Sequence, residues 1–270
     1  MSKSDWRAYI ESGEIPRSID SQGLIHSRQD ILDMDLPAIQ QICGPLHSAS
    51  VTMMAGAAGV GKSLFALHMA NHIAAGENFE SWKVPLPRRV LYVDGEMAPQ
   101  YMQARIGTLK PPGPNETDWL NIIHLGSMAD TNNFVDLSKP DWRNFFLDES
   151  VLDVWDVFVF DTVSSLIMPT EDIPVFSPEF WLQLEPFHQK FRAAGKTVVW
   201  VDNLNKEGTV YGTSVKHHKV DALWQLNNWE GKPNGATAGF KIESGKNRGG
   251  HEEPEGMWHF ASDKQWTWMP

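Results

Sequence analysis

From Ser50 the chain reads SVTMMA, a mostly apolar run, then a glycine-rich stretch, then LFALHMANHIAAG, whose apolar residues recur at helical spacing. That order predicts a strand, a loop and a helix that Gly76 ends. RVLYVDGE, from Arg89 to Glu96, predicts a second buried strand. Pro99–Leu109 carries helix-forming residues until PPGPNETD breaks the pattern. A third strand is expected at Asn121–Leu125 and a helix near Asp141–Asp148.

VWDVFVFDT, beginning at Val154, is an almost continuous apolar run that closes in Asp161. Such a run suits a strand covered on both faces. Trp181–Ala194 predicts a helix in spite of Pro186, and KTVVWVD, Lys196–Asp202, a further buried strand. Beyond it ALWQL, FKIES, MWHF and Trp266–Trp268 read as strands joined without helices. The alternation of strand and helix implies an α/β fold, a mostly parallel twisted sheet flanked by helices with a C-terminal antiparallel extension. Residues 1–48 are mixed and irregular, and predict a lead-in segment with one or two short helices ahead of a single domain over 49–270.

Composition narrows the class without naming a chemistry. The chain has 270 residues, 41% hydrophobic and 21% charged, which suits a compact globular protein rather than a disordered one. No window approaches the roughly 18 apolar residues of a membrane span, so no membrane partner is expected. Cys43 is the single cysteine, which excludes an intramolecular disulfide and a cysteine-rich metal site and matches a reducing, cytoplasmic setting. A net charge of −11 speaks against nucleic-acid binding through bulk charge, leaving local clusters of lysine to decide.

The chemistry begins at GAAGVGKS: Gly56, Ala57, Ala58, Gly59, Val60, Gly61, Lys62 and Ser63, with Leu64 starting the apolar helix. Closely spaced glycines let backbone N–H groups converge on phosphates at a helix N-terminus. Lys62 is placed to reach the β- and γ-phosphates of ATP, and Ser63 to ligate Mg2+. Because a strand precedes the string and a helix follows it, the context that a phosphate-binding P-loop requires is present. Asp161, at the end of VFVFD, is the carboxylate expected beside such a loop to hold the metal or its water; the rival reading is a strand-end or capping aspartate.

The order of these motifs resembles the RecA-like motor ATPases, and within them the hexameric replicative DNA helicases of the plasmid RepA and DnaB type, over roughly Pro45 to Trp268. That resemblance implies a glutamate after the second strand that polarises the attacking water, which places Glu96 in the role with Asp94 as rival. It implies a polar γ-phosphate sensor after VWVD, where this chain offers Asp202 and Asn203 in place of the more usual histidine, Asn203 being preferred. It also implies that loops Ser164–Pro178 and Leu204–Lys219 face a central channel. In the second loop Lys206, Lys216 and Lys219 are the candidate contacts to single-stranded DNA. Lys246-Asn247-Arg248-Gly249 matches the K-x-R-x-G pattern with which such enzymes reach a neighbouring subunit's γ-phosphate, so Lys246 and Arg248 imply a homo-oligomer, by resemblance a hexamer. Adjacent His217 and His218 have no third histidine at ligand spacing, and a metal is not expected there.

The leading expectation is therefore an ATP-driven translocase on single-stranded DNA, a ring helicase with replication or repair proteins as further partners. A RecA- or RadA-like recombination ATPase shares the same motifs. A nucleotide-switched regulatory ATPase that touches no nucleic acid suits the acidic balance. A small-molecule kinase would add an arginine-rich lid that the sequence does not show.

Overall fold

The apolar runs of the sequence become strands of one nine-stranded sheet, in the computed structural model that describes residues 25–109, 119–131, 134–168, 177–204, 215–250, 254–261 and 265–269. The chain forms two units, Met1–Ala38 and Ile39–Pro270. In the described part of the first, helix α1 (Arg28–Leu32) starts at a capping box, in which the Ser27 hydroxyl accepts the Asp30 N–H and the Asp30 carboxylate accepts the Ser27 N–H.

The second unit opens with a short hairpin, β1 (Gln41–Cys43) and β2 (Leu46–His47), that buries Ile42, Cys43 and Leu46 of the lead-in segment in its core. The predicted strand and helix follow as β3 (Ser50–Gly56) and α2 (Lys62–Ala75), which ends on Gly76 in the left-handed region at φ 69°. Next come β4 (Val90–Asp94), α3 (Pro99–Ile106), β5 (Leu120–His124), α4 (Pro140–Leu147), α5 (Glu149–Leu152) and β6 (Val157–Asp161). A four-residue helix α6 (Val163–Leu166) leaves β6 directly.

The helix expected over Trp181–Ala194 is two, α7 (Pro178–Gln183) and α8 (Glu185–Ala193), broken at Leu184 because Pro186 lacks an N–H and is accommodated in a first turn. The strand expected from Val154 starts at Val157 instead, since residues 153 and 154 form the turn that closes α5. Then follow β7 (Thr197–Asn203), α9 (Val215–Lys219), β8 (Ala222–Asn228), β9 (Ala238–Asn247), β10 (Gly256–Phe260) and β11 (Trp266–Met269).

The spatial order is β11-β10-β9-β8-β3-β7-β6-β4-β5. From β8 to β5 every pairing is parallel, and from β8 outward to β11 every pairing is antiparallel. Strand alternation sorts the core into two layers. Met54, Tyr92, Val159 and Val201 face α2, while Met53, Val93, Phe160 and Trp200 face α7 and α8. On the first face Phe65 of α2 meets Phe79, Trp82, Phe240, Trp258 and Trp266 at ring-centroid distances of 5.0–5.7 Å, so aromatic packing binds α2 to the antiparallel extension. Among the described residues no helix is long and apolar enough to cross a membrane.

On the second face His188 of α8 is fully buried and its Nε2 accepts the Trp200 indole N–H at 3.1 Å. Burial away from water pushes its pKa down to about 3, with Arg192 and Lys219 nearby adding to the effect. A histidine held neutral in the folded chain contributes stability above its unfolded pKa of 6.5, and that stability is lost as pH falls below 6.5 toward 3. Between pH 6.5 and 5 the cost is about 2 kcal/mol. His188→Gln is therefore expected to flatten the fall in urea midpoint between pH 7 and pH 5 relative to the unmodified chain, and parallel slopes for the two proteins would contradict this account.

Candidate active site

The carboxyl ends of the parallel strands lie on one line because of their register. Gly56 of β3 pairs with Asn203 of β7, Asp161 of β6 with Asp94 of β4, and Asp94 with His124 of β5. In an open parallel sheet this edge is where ligands bind. A cavity of about 630 Å³ opens there, lined by Ala58, Gly59, Lys62, Glu96, Thr162 and Asn203 among others, within the size range of small-ligand sites.

The loop between β3 and α2 is shaped by glycine. Gly59 and Gly61 have φ of 77° and 111°, which side chains with a Cβ rarely adopt. A Cβ on Gly61 would also lie 2.7 Å from the Ala238 Cβ, so glycine lets the start of β9 close against the loop. Lys62 is buried, and its Nζ donates to the carbonyls of Gly56 and Ala57 at 2.9 Å. Burial lowers its pKa, against the pull of Asp161, Asp202 and Glu96. The donor set fits a nucleoside triphosphate with Mg2+: a left-handed glycine loop at the start of a fourteen-residue helix, an ammonium, a hydroxyl and a carboxylate in one cradle.

Ser63 Oγ donates to Asp161 Oδ1 at 3.0 Å, and the Tyr92 hydroxyl donates to Asp161 Oδ2. Asp161 is fully buried, and desolvation raises its pKa to about 6 in spite of both hydrogen bonds. The Asp161–Thr162 peptide bond is cis.

Glu96 lies two residues past β4, exposed on the cavity wall. Its rival Asp94 also borders the cavity but is buried, and its Oδ2 is engaged by the loop, accepting the Met97 N–H at 3.0 Å. His124 Nδ1 accepts the Ser127 N–H, so the proton sits on Nε2, which donates to the Met97 carbonyl at 2.9 Å. Asp94 and His124 thus hold the backbone that presents Glu96.

At the end of β7, alternation separates the two sensor candidates. Asn203 lines the cavity, whereas Asp202 points to the other face and meets Lys216 Nζ at 2.7 Å. This corrects the expectation for Lys216: it is fully buried, paired with Asp202 and set over the Trp181 ring at 5.1 Å, so it offers no charge to solvent. Burial drives Asp202 up and Lys216 down, and each charge offsets that effect on the other. Lys219 pairs with Glu185 at 3.6 Å. Lys206 lies outside the described residues, as do 169–176 and 205–214 of the two expected channel loops.

Lys246 and Arg248 lie at the other edge of the sheet. β9 runs antiparallel to β8, so its first residues, near Ala238, border the cavity, while Asn247 pairs with Ala222 beside the start of β3. Asn247 is thus level with Thr52, four residues or about 13 Å along β3 from Gly56. Lys246 Nζ donates to the carbonyls of His218 and Val220, and Arg248, 57% exposed, pairs with Asp221 at 3.2 Å.

Tyr92, behind the cavity wall, and Tyr101, Arg105, Thr237 and Ala238, which line it, escaped the sequence reading. Tyr92 stands two positions before Asp94 and hence on the same strand face, a signal that period two carries. Arg105 and Tyr101 lie on the face of α3 that begins at Ala98, and the spacing of three and four residues would have found them. The Arg105 side chain borders the cavity with a buried Nη1 that has no hydrogen-bond partner. Thr237 and Ala238 arrive from the antiparallel extension, which no local pattern links to the P-loop.

The parallel sheet, the glycine cradle and the row of carboxylates at its edge define a RecA-like P-loop ATPase. The chain belongs to the AAA domain family, whose profile matches residues 27–173. No curated protein matches it. Its structure is similar to that of a KaiC-like protein, PH0186, from the hyperthermophilic archaeon Pyrococcus horikoshii OT3, with a TM-score of 0.57 at 13% identity over 86% of this chain and 99% of that one. It is also similar to flagellar accessory protein FlaH from Methanocaldococcus jannaschii, with a TM-score of 0.55 at 14% identity over 84% of this chain and 91% of that one.

Gly61→Ala should destabilise the fold by about 1–3 kcal/mol through φ strain and the clash with Ala238. It should also weaken binding of a fluorescent ATP analogue. Adding Ala238→Gly should recover the part due to the clash and leave the part due to φ; full recovery would show that φ carries none of the cost.

Proposed function

We propose that the protein is a Mg2+-dependent ATP hydrolase that works as an oligomer. The observation that carries this reading is the convergence of Lys62, Ser63 and Glu96 on one cavity, with Asp161 bonded to Ser63 behind its wall. Lys62 and the cradle N–H groups hold the β- and γ-phosphates, and Ser63 and Asp161 form the place for Mg2+. When bound, Mg2+ supplies charge neutralisation on the phosphate oxygens. Glu96 orients the attacking water and draws off its proton, Asn203 hydrogen-bonds the γ-phosphate, and Arg105 brings a second cation to the same wall.

Lys246 and Arg248 are held by His218, Val220 and Asp221 at the edge of the sheet opposite their own P-loop. An exposed arginine at the opposite edge fits action on a neighbouring subunit's phosphate, where such a group is worth about 10³–10⁵ in turnover. Mixtures of wild-type and Arg248→Ala chains are then expected to lose ATPase activity more steeply than in proportion to the variant, and linear dilution would remove the shared site. Glu96→Gln should bind ATP normally and lose at least about a hundredfold in kcat; a retained rate would overturn the role of Glu96.

The motif order favours single-stranded DNA as the substrate on which hydrolysis acts. A second reading, a regulatory ATPase directed at a protein partner, is favoured by the inward-turned Lys216, the paired Lys219 and the net charge of −11. ATPase rates with and without single-stranded DNA, with strand displacement on 5′- and 3′-tailed forks, separate the two. Stimulation with displacement is expected for a helicase, stimulation alone for a recombination ATPase, and neither for the regulatory enzyme.

A further inference from the structure

Thr162 follows Asp161 at the end of β6, is 2% exposed, and lines the cavity. Its hydroxyl has a single proton and three oxygens around it: Glu96 Oε2 at 3.4 Å, Ser164 Oγ at 3.0 Å and Ser165 Oγ at 3.0 Å. Ser165 is already committed, since its Oγ accepts the Thr162 N–H and donates to the Thr162 carbonyl, both at 3.0 Å. Ser164 is exposed and free to donate to Thr162 Oγ1. With that lone pair filled, the Thr162 proton is directed to Glu96, the one anionic acceptor of the three and hence the stronger one. At 3.4 Å the contact to Glu96 is long for an O–H···O hydrogen bond and is the longest of the three around this hydroxyl.

The backbone around this contact brings the two groups together. Gly95 N–H donates to the Asp161 carbonyl at 2.8 Å. A Cβ on Gly95 would lie 2.8 Å from Ser165 Oγ and from Leu166 Cδ2, so glycine at this position lets the Glu96 loop lie flat against α6. The loop is held from its other side by Asp94 and His124 through Met97.

We propose that Thr162 is a positioning residue for Glu96: the chain Ser164 to Thr162 to Glu96 fixes one carboxylate oxygen and leaves the other to face the attacking water. The proposal rests on the reading of Glu96 as the water-orienting group. Because the chain acts through Glu96, the effect falls on turnover rather than on nucleotide affinity.

The test compares Thr162→Val, which keeps the shape and removes the hydroxyl, with Thr162→Ser, which keeps the hydroxyl. Thr162→Val is expected to lower kcat about tenfold while KM for ATP, the affinity for a fluorescent ATP analogue and the Mg2+ concentration for half-maximal rate stay within about twofold. Thr162→Ser should restore kcat to within about twofold of the starting value, and Thr162→Val should add no further loss to Glu96→Gln. Thr162→Val turning over at the full rate while Glu96→Gln is dead overturns the proposal and leaves the role of Glu96 standing. Glu96→Gln turning over at the full rate overturns the reading on which it rests. Equal losses in Thr162→Val and Thr162→Ser, or losses in affinity as large as those in kcat, reduce Thr162 to a packing group and also overturn it. Should Thr162→Val fail to fold, Ser164→Ala on the exposed first turn of α6 decides: a two- to threefold fall in kcat supports the chain, on the order expected for one exposed hydrogen bond, and an unchanged kcat removes it.

Discussion

The register of β3, β7, β6 and β4 is the constraint on which the rest of the site depends. Parallel pairing over five to seven residues carries Gly56, Asn203, Asp161 and Asp94 to one edge, and a slip of one residue in any strand would turn its terminal polar group to the other face. The two apolar layers hold that register. Phe160 stacks on Trp200 at 4.7 Å on one side, while Tyr92, Val159 and Val201 pack under α2 on the other. Core packing and the placing of functional groups are here one set of contacts.

Given that register, the edge gathers more charge than burial tolerates without compensation. Asp161 and Asp94 are both raised by desolvation, and Lys62 is lowered by it. Each is answered locally: Asp161 by Ser63 and Tyr92, Asp94 by the Met97 N–H, Lys62 by two carbonyls. These partners are short-range and already within the cradle, which is what preorganises the site for a polyanion and a cation. Asp202 and Lys216 apply the same rule on the opposite face, where a buried carboxylate demands a buried cation.

The antiparallel extension is part of the site and not an appendage. β9 begins beside the P-loop, with Ala238 against Gly61, and ends at the far edge with Asn247, next to Arg248. One strand therefore connects a wall of this cavity to the group proposed to act on a neighbour's. The aromatic cluster around Phe65 holds that strand and α2 in one body.

The sequence by itself determined the α/β class, nearly every strand, the P-loop and the terminal carboxylates of the buried strands. These are local properties: apolar runs, period-two alternation and glycine spacing act within a few residues of the chain. Only the tertiary structure decided which face each polar residue takes and what stands opposite it. Lys216 read as one member of a basic run, and it became the buried partner of Asp202 because β7 and α9 meet in space. Tyr92, Arg105 and Thr162 carried no motif, and each acquires its place through an element distant in sequence: β6, α2 and the Glu96 loop. Burial and charge pairing are decided by what packs across a gap, and a linear pattern does not encode that distance.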